Sequence, residues 1–175
     1  AIGDIFSAIL SKTKIHVNVV KGYLLPTTVN SDTLVIVISV SGNTVETLSL
    51  IKSAHKKKCR IVGFSSGGQL LEFCKKNKIK HRFVTKYHSP RASFTSYFYT
   101  ILKVLHLSLN INKEDIFESI KKLEHISKKI NSTNLNIDNP ALNLAEWIED
   151  IPVIYYPWGL QAVAIRFKSV LQENT

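Results

Sequence analysis

The stretch LVIVISVSGNTVETL, at positions 34–48, constrains the fold of this chain more than any other feature. Its first part, residues 34–38, is an apolar and largely β-branched run that predicts a buried strand. The loop that follows consists of small residues, several of which carry a hydroxyl: Ser39, Ser41, Gly42, Asn43 and Thr44. Apolar residues with helical spacing begin at Val45. The pattern therefore predicts a strand, a tight turn and a helix start in immediate succession.

A turn between a strand and a helix can hold an anion. The N–H groups of the first helical turn lack partners within the helix and carry partial positive charge. The hydroxyls of Ser39, Ser41 and Thr44 can add hydrogen bonds, and Gly42 lets the backbone approach a ligand closely. The same residue types are also common N-caps and turn formers. The residues alone leave both interpretations open, namely anion binding and ordinary turn chemistry.

Strand and helix patterns alternate along the first 130 residues. Besides the strand at 34–38, strands are predicted at 16–20, 60–64 and 81–85, and helices at 2–10, 45–57, 69–76, 92–109 and 113–130. Such alternation predicts a parallel α/β sheet covered by helices on both faces, a three-layer αβα arrangement. Ligands in these sheets bind beyond the carboxyl ends of the strands. Ser39, Ser65 and Tyr87 all fall at such ends.

Arg91 follows the strand predicted at 81–85, in the sequence YHSPRASF at 87–94. Proline favours the first turn of a helix, so Pro90 predicts a helix start and places Arg91 beside a helix N-terminus. There the guanidinium could stabilise an oxyanion. It could equally be a surface arginine that pairs with a nearby carboxylate.

The pattern restarts after a polar segment. Residues 131–140 are rich in Asn, Ser, Thr and Asp and predict a linker, and residues 141–149 predict a short helix. An apolar run at 151–156 predicts a buried strand, and 160–173 predicts a helix. One strand and one helix cannot bury their own apolar faces. We therefore expect a first domain over 1–130, a linker and short helix over 131–150, and the start of a second domain over 151–175.

Three segments resemble a known family. The run SVSGNTVET at 39–47 resembles the S-x-S-G-N-T-x-E-T signature of sugar-isomerase (SIS) domains. The run PRAS at 90–93, followed by an aromatic residue and a long helix, resembles the bifunctional phosphoglucose/phosphomannose isomerases. Residues 151–174, which end in Gln-Glu-Asn, resemble the opening of the second SIS domain of that family.

The resemblance implies a fold and an activity. It implies a flavodoxin-like (Rossmann-like) αβα SIS domain that isomerises a sugar phosphate between aldose and ketose. Ser39, Ser41 and Thr44 would bind the phosphate, with Gly42 and Asn43 as supporting loop residues. Arg91 would stabilise the enediolate and Glu173 would be the base. The resemblance implies no metal and no cofactor, a sugar phosphate as the small-molecule partner, and a homodimer with a shared site.

Several parts of the family pattern are not found in this chain. A glycine-rich G-x-G-G-S turn is expected ahead of Ala1, and a histidine and a lysine are expected beyond the last residue. The chain also has no methionine, and its first apolar positions resemble the middle of a helix. We therefore expect an N-terminally truncated first SIS domain and a truncated second one, in a fragment with little or no activity of its own.

The composition argues against several other classes of protein. The net charge is +10, but the basic residues are mostly scattered lysines at predicted helix ends, which argues against nucleic-acid binding as the main role. No apolar run reaches the roughly 20 residues that a membrane span needs. Two cysteines without metal spacing and the absence of a signal sequence indicate the cytoplasm. A non-catalytic SIS module that binds a phosphosugar is the main alternative function.

Overall fold

The computed structural model describes residues 2–174 of the chain. It divides into two compact units, Ala1–Lys103 and Val104–Thr175, which are described separately. The predicted alternation forms in the first unit, with these elements: α1 (Ile2–Leu10), β1 (Leu34–Ser39), α2 (Val45–Lys56), β2 (Arg60–Ser65), α3 (Gly68–Lys76), β3 (Lys80–Phe83) and α4 (Phe94–Leu105), whose last two residues fall in the second unit. The α/β class is therefore confirmed.

The three strands form one parallel sheet in the order β1-β2-β3. In the register, Leu34 lies opposite Arg60 and Ser39 lies opposite Ser65. Because the last residues of β1 and β2 are paired, both strands end at the same level. The loops that leave these two strands consequently start side by side.

One face of the sheet packs against α2 and α3. Val37 of β1 forms a cluster with side chains of both helices: Leu48, Ile51, Leu70 and Cys74. Leu48 and Ile51 are three residues apart, so they share one side of α2. Burial of each large apolar side chain contributes about 1.5–3 kcal/mol, so this layer holds both helix starts firmly against the strand ends.

The opposite face of the sheet is covered as well. Side chains alternate along a strand, so Val62 and Phe64 lie on the face opposite Gly63. Phe64 is fully buried and Val62 nearly so. The pattern agrees with the prediction of a sheet with two covered faces.

The predicted strand at 16–20 does not form, and this part of the prediction was wrong. Its valines are half-buried and its polar residues exposed, as the alternation suggested. Within residues 2–174, however, none of its backbone groups pairs with a strand. A strand needs a neighbour to complete its hydrogen bonds, and alternation alone cannot supply one.

Helix α4 is shorter than the predicted span of 92–109. The backbone before it is held by serines instead: the Ala92 N–H donates to Ser89 Oγ at 3.2 Å, and Ser93 Oγ donates to Ser89 O at 3.1 Å. After Leu105 the chain continues in turns to Asn110, which has a left-handed φ of 52°. Serine side chains that bond to nearby backbone compete with helix formation, which accounts for the late start.

The second unit contains α5 (Lys113–Lys129), α6 (Pro140–Trp147) and α7 (Gln161–Asn174). All three predicted helices therefore form. The predicted strand at 151–156 does not: Ile151 and Tyr155 are 92% and 91% exposed. This correction has the same cause as at 16–20, because none of the described strands pairs with the segment. The domain boundaries expected near 130 and 150 stay predictions.

Candidate functional site

The β1–α2 loop, residues 40–44, closes on itself through the hydroxyl of Ser39. Ser39 Oγ lies 2.8 Å from Thr44 Oγ1 and accepts a hydrogen bond from the Gly42 N–H at 3.0 Å. Ser39 is only 5% exposed, whereas Ser41 and Thr44 are exposed. The predicted phosphate-binding residues therefore lie in one loop. Ser39 holds the loop from inside through the Thr44 hydroxyl, and Ser41 Oγ accepts from the Asn43 N–H at 3.2 Å on the exposed side of the loop.

The N-terminus of α2 is not capped by a side chain. Thr44 occupies the N-cap position with φ −65° and ψ 119°, but its hydroxyl bonds to Ser39 instead of to the helix. Among residues 2–174, no acceptor bonds to the N–H groups of residues 45–47. In contrast, Asn112 and Asn139 cap α5 and α6 through their side-chain oxygens. Ordinary capping thus explains those two helices, but it does not explain the hydroxyls at α2.

The segment at residues 66–70, which joins β2 to the first turn of α3 and is called the β2–α3 loop below, lies directly against the β1–α2 loop. Asn43 Oδ1 accepts from the Gln69 N–H at 3.0 Å, and Gly42 O accepts from the Leu70 N–H at 2.9 Å. Gly67, at the N-cap of α3, has no side chain that could do this. Asn43 therefore caps the neighbouring helix α3, so the N-termini of the two adjacent helices differ: α3 is closed and α2 is open.

Two glycines allow the loops to meet. A Cβ on Gly42, which has φ +72°, would lie 1.9 Å from Gly67 O. A Cβ on Gly68, with φ +68°, would lie 2.5 Å from Ser41 O and 2.7 Å from Asn43 Oδ1. Side chains at these positions would overlap with backbone, which cannot move aside as a flexible side chain would.

Helix α4 is attached to the same loop through Val40. The carbonyl oxygen of Val40 accepts from the Ser66 N–H at 3.2 Å, from Ser66 Oγ at 2.5 Å and from the Tyr97 hydroxyl at 3.4 Å. Tyr97 is fully buried, and this burial raises the pKa of its hydroxyl, partly offset by hydrogen bonding with Ser66. The sequence marks Tyr97 only as an aromatic residue on an amphipathic helix, so it was not predicted to contact the site.

Arg91 is half-buried in the turn that precedes α4. Its carbonyl accepts from the Phe94 N–H at 3.2 Å. The turn is fixed from both sides by Ser93, which is fully buried and whose Oγ accepts from the Tyr87 N–H at 3.0 Å. Arg91 therefore lies after β3 on a braced segment, close in sequence to the helix that contacts Val40.

Glu173 lies in the last turn of α7, in the second unit, where it is exposed. The helix predicted around it forms. Arg91 and the β1–α2 loop belong to the first unit. The role of Glu173 as the base and the role of Arg91 in stabilising the enediolate both stay predictions.

Ser65 at the end of β2 and His81 of β3 form a hydrogen-bonded pair that supports the β2–α3 loop. Ser65 Oγ lies 2.8 Å from His81 Nε2 and donates to Gly67 O at 2.8 Å. Burial lowers the pKa of His81, and the charge of Lys75 lowers it further. The neutral form of the His81 imidazole is consequently favoured beside the buried Ser65 hydroxyl.

Residues 2–174 contain neither a metal-binding cluster nor a helix that could span a membrane. No group of three His, Cys, Asp or Glu side chains in this range could coordinate a metal ion. None of the described helices is both long enough and apolar enough to cross a lipid bilayer.

Comparison with known proteins gives consistent matches. A family model described as the bacterial phospho-glucose isomerase C-terminal SIS domain matches residues 137–175. The bifunctional phosphoglucose/phosphomannose isomerase of Caldicellulosiruptor bescii is 34% identical over 95% of this chain and 50% of its own length. The protein of the same name from Aquifex aeolicus is 31% identical over 90% of this chain and 46% of its own.

A further relative carries another name. The D-glucosamine-6-phosphate 4-epimerase of Sulfolobus acidocaldarius is 28% identical over 83% of this chain and 45% of its own length. The chain thus spans about half the length of the curated relatives that it matches. The sugar-isomerase signature in the β1–α2 loop, the SIS-domain match at residues 137–175 and these relatives agree: along almost its whole length the chain is similar to the bifunctional phosphoglucose/phosphomannose isomerases.

Proposed function

We propose that the protein containing this chain interconverts glucose 6-phosphate or mannose 6-phosphate with fructose 6-phosphate through an enediolate. Two relatives are named bifunctional phosphoglucose/phosphomannose isomerases, which supports this substrate class. The alternative is an SIS module that binds the sugar phosphate and does not catalyse its conversion.

The observation that carries the proposal is the open N-terminus of α2. Its first N–H groups have no acceptor among the described residues, and two exposed residues with hydroxyl side chains, Ser41 and Thr44, precede them directly. A phosphate group there would accept hydrogen bonds from these N–H groups and experience the positive end of the helix dipole. Anchoring the phosphate would hold the other end of the sugar, with C1 and C2, in a fixed position for reaction.

The reaction moves a proton between C1 and C2 of the open-chain sugar. In the proposed mechanism, the Glu173 carboxylate removes the C2 proton of the aldose and returns it to C1, while a hydroxyl proton moves between the two oxygens. The Arg91 guanidinium stabilises the negative oxygen of the enediolate. By analogy with oxyanion holes, one such donor contributes about 3–4 kcal/mol to lowering the barrier. The residues proposed for these steps need no metal and no cofactor.

Replacement of Glu173 by Gln in the intact protein tests this assignment. Gln keeps the shape of the side chain but cannot take a proton, so we expect turnover of both aldoses to fall about 100- to 10,000-fold. The affinity for glucose 6-phosphate is expected to change little, because the phosphate is bound elsewhere. Glu146→Gln is a matched control on exposed α6 and should keep full turnover.

The outcomes separate the alternatives. A wild-type protein that binds glucose 6-phosphate without converting it, and that Glu173→Gln leaves unchanged, would support the non-catalytic module. Glucosamine 6-phosphate is included as a substrate because one relative is named for it. Turnover of that compound alone would contradict the proposal.

We also propose that the intact protein is a homodimer and works in the cytoplasm. The dimer follows from the family resemblance. The cytoplasm agrees with free thiols at Cys59 and Cys74. Sedimentation equilibrium of the intact protein is expected to give a mass twice that of the protomer, and a monomer at all concentrations would contradict the assembly.

A further inference from the structure

The β2–α3 loop is hydrogen-bonded to the β1–α2 loop at Val40, Gly42 and Asn43. Val40 O, at one end, accepts from Ser66 through both its N–H and its hydroxyl. Gly42 O, in the middle, accepts from the Leu70 N–H, and Asn43 Oδ1, further along, accepts from the Gln69 N–H. The second loop therefore holds the first at three successive points.

The loops also approach each other closely at Gly68. A methyl group there would lie 2.5 Å from Ser41 O and 2.7 Å from Asn43 Oδ1, distances at which something must shift. The atoms in the way belong to the segment that carries the exposed hydroxyls. A small change at Gly68 would therefore displace Ser41 and Thr44 without touching either side chain.

We infer that Gly68 and Asn43 are positioning residues for phosphate binding, and that the β2–α3 loop sets the shape of the β1–α2 loop. The inference rests on the proposed function. Neither residue needs to touch the ligand: Asn43 uses its side-chain oxygen to cap α3, and Gly68 has no side chain.

The arrangement has a physical consequence for where an anion can bind. Two helices begin side by side at the sheet edge, and either N-terminus could attract a phosphate. The cap from Asn43 and the bond to Gly42 O occupy N–H groups of α3, whereas those at the start of α2 stay available. Asn43 thus directs the anion to the helix that has hydroxyls beside it.

The neighbouring glycine provides a matched control. Gly67 also has a positive φ, +131°, so alanine is strained at both positions, but nothing lies within 4 Å of a Cβ at Gly67. Only Gly68→Ala combines the backbone strain with overlap against the β1–α2 loop. Because Gly67, with ψ −140°, is the more strained of the two sites for alanine, a larger loss of affinity in Gly68→Ala than in Gly67→Ala reports the overlap and not the strain.

Two measurements on the intact protein test the inference. Amide hydrogen exchange of Gln69 and Leu70 reports the contact between the loops without any ligand. Calorimetric titration with glucose 6-phosphate reports binding. We expect Gly68→Ala to speed exchange at both amides and to weaken binding about ten- to a hundredfold, since a displacement of about 1 Å has effects of this size. Gly67→Ala should keep the wild-type affinity within about threefold, even where its melting temperature falls.

Each other outcome has a definite meaning. Equal exchange and equal affinity in the two variants would overturn the inference and leave the proposed function standing. Faster exchange in Gly68→Ala with unchanged affinity would do the same. If the wild-type protein binds neither glucose 6-phosphate nor inorganic phosphate, the proposed function fails, and the inference fails with it.

Discussion

Ser39→Ala is the substitution whose effect follows most directly from the structure. The hydroxyl of Ser39 is buried, lies 2.8 Å from Thr44 Oγ1 and accepts from the Gly42 N–H at 3.0 Å. Its removal leaves no donor without an acceptor. The Gly42 N–H also donates to Ser39 O at 3.2 Å, and the exposed hydroxyl of Thr44 can turn to water.

The magnitude follows from this count of partners. Two hydrogen bonds are lost, each with a net contribution of about 0.5–1.5 kcal/mol, and no additional penalty arises for a buried unsatisfied group. We therefore expect the free energy of unfolding to fall by about 1–3 kcal/mol. For a chain of this size the melting temperature should fall by roughly 2–12 °C. The affinity for glucose 6-phosphate should fall too, because the loop loses its internal tie.

Urea unfolding followed by circular dichroism measures the change, with Ser53→Ala as the control. The Ser53 hydroxyl donates only to Ser49 O within α2, at 3.0 Å, and alanine favours helix, so this variant should stay within about 0.5 kcal/mol of the wild type. If Ser39→Ala is as stable as Ser53→Ala, the hydroxyl does not hold the loop, and the reasoning is refuted. Ser41→Ala removes the bond that Ser41 Oγ accepts from the Asn43 N–H, but at an exposed position water can replace this acceptor. We therefore expect weaker binding and a loss of no more than about 1 kcal/mol in the free energy of unfolding.

Substitutions at two further residues, Tyr97 and His81, test the surroundings of the loop. Tyr97→Phe should lower the free energy of unfolding by no more than about 1 kcal/mol, since Val40 O keeps both bonds from Ser66. Tyr97→Ala should lower it by about 3–5 kcal/mol, because it leaves a cavity. Equal losses for the two variants in urea unfolding would contradict this. The pKa of His81 is lowered by burial and by Lys75, so the unfolded chain takes up the proton first as the pH falls through the ordinary histidine value of about 6.5. The stability of the folded chain should consequently decrease from pH 7.5 to 5.5, and His81→Gln should reduce that decrease; identical urea midpoint shifts in variant and wild type would exclude His81 as the cause.

Short-range sequence patterns were sufficient to predict the strand, loop and helix that form the candidate site. The apolar run at 34–38, the small residues after it and the helical spacing from Val45 are all short-range signals, and β1, the loop and α2 form where they indicate. The alternation of such units was also enough to predict a parallel sheet, because parallel neighbours need a helical crossover.

The same short-range patterns did not indicate which of the predicted strands would pair with another strand. The runs at 16–20 and 151–156 have the apolar residues of strands, yet neither has a neighbouring strand among residues 2–174. A strand is stabilised by hydrogen bonds to another segment, so its sequence can be suitable and its partner still missing. Helices complete their hydrogen bonds internally, and all the predicted helices form.

The sequence by itself determined which residues stand at the end of β1 and that they could bind an anion or simply close a turn. Only the tertiary structure decided which hydroxyl does what: Ser39 turns inward to Thr44, Asn43 caps α3 instead of its own helix, and α2 stays open. The reason is that a side chain chooses its hydrogen-bond partner in space. The partners here come from β2, α3 and α4, whose approach depends on the packing of the whole sheet.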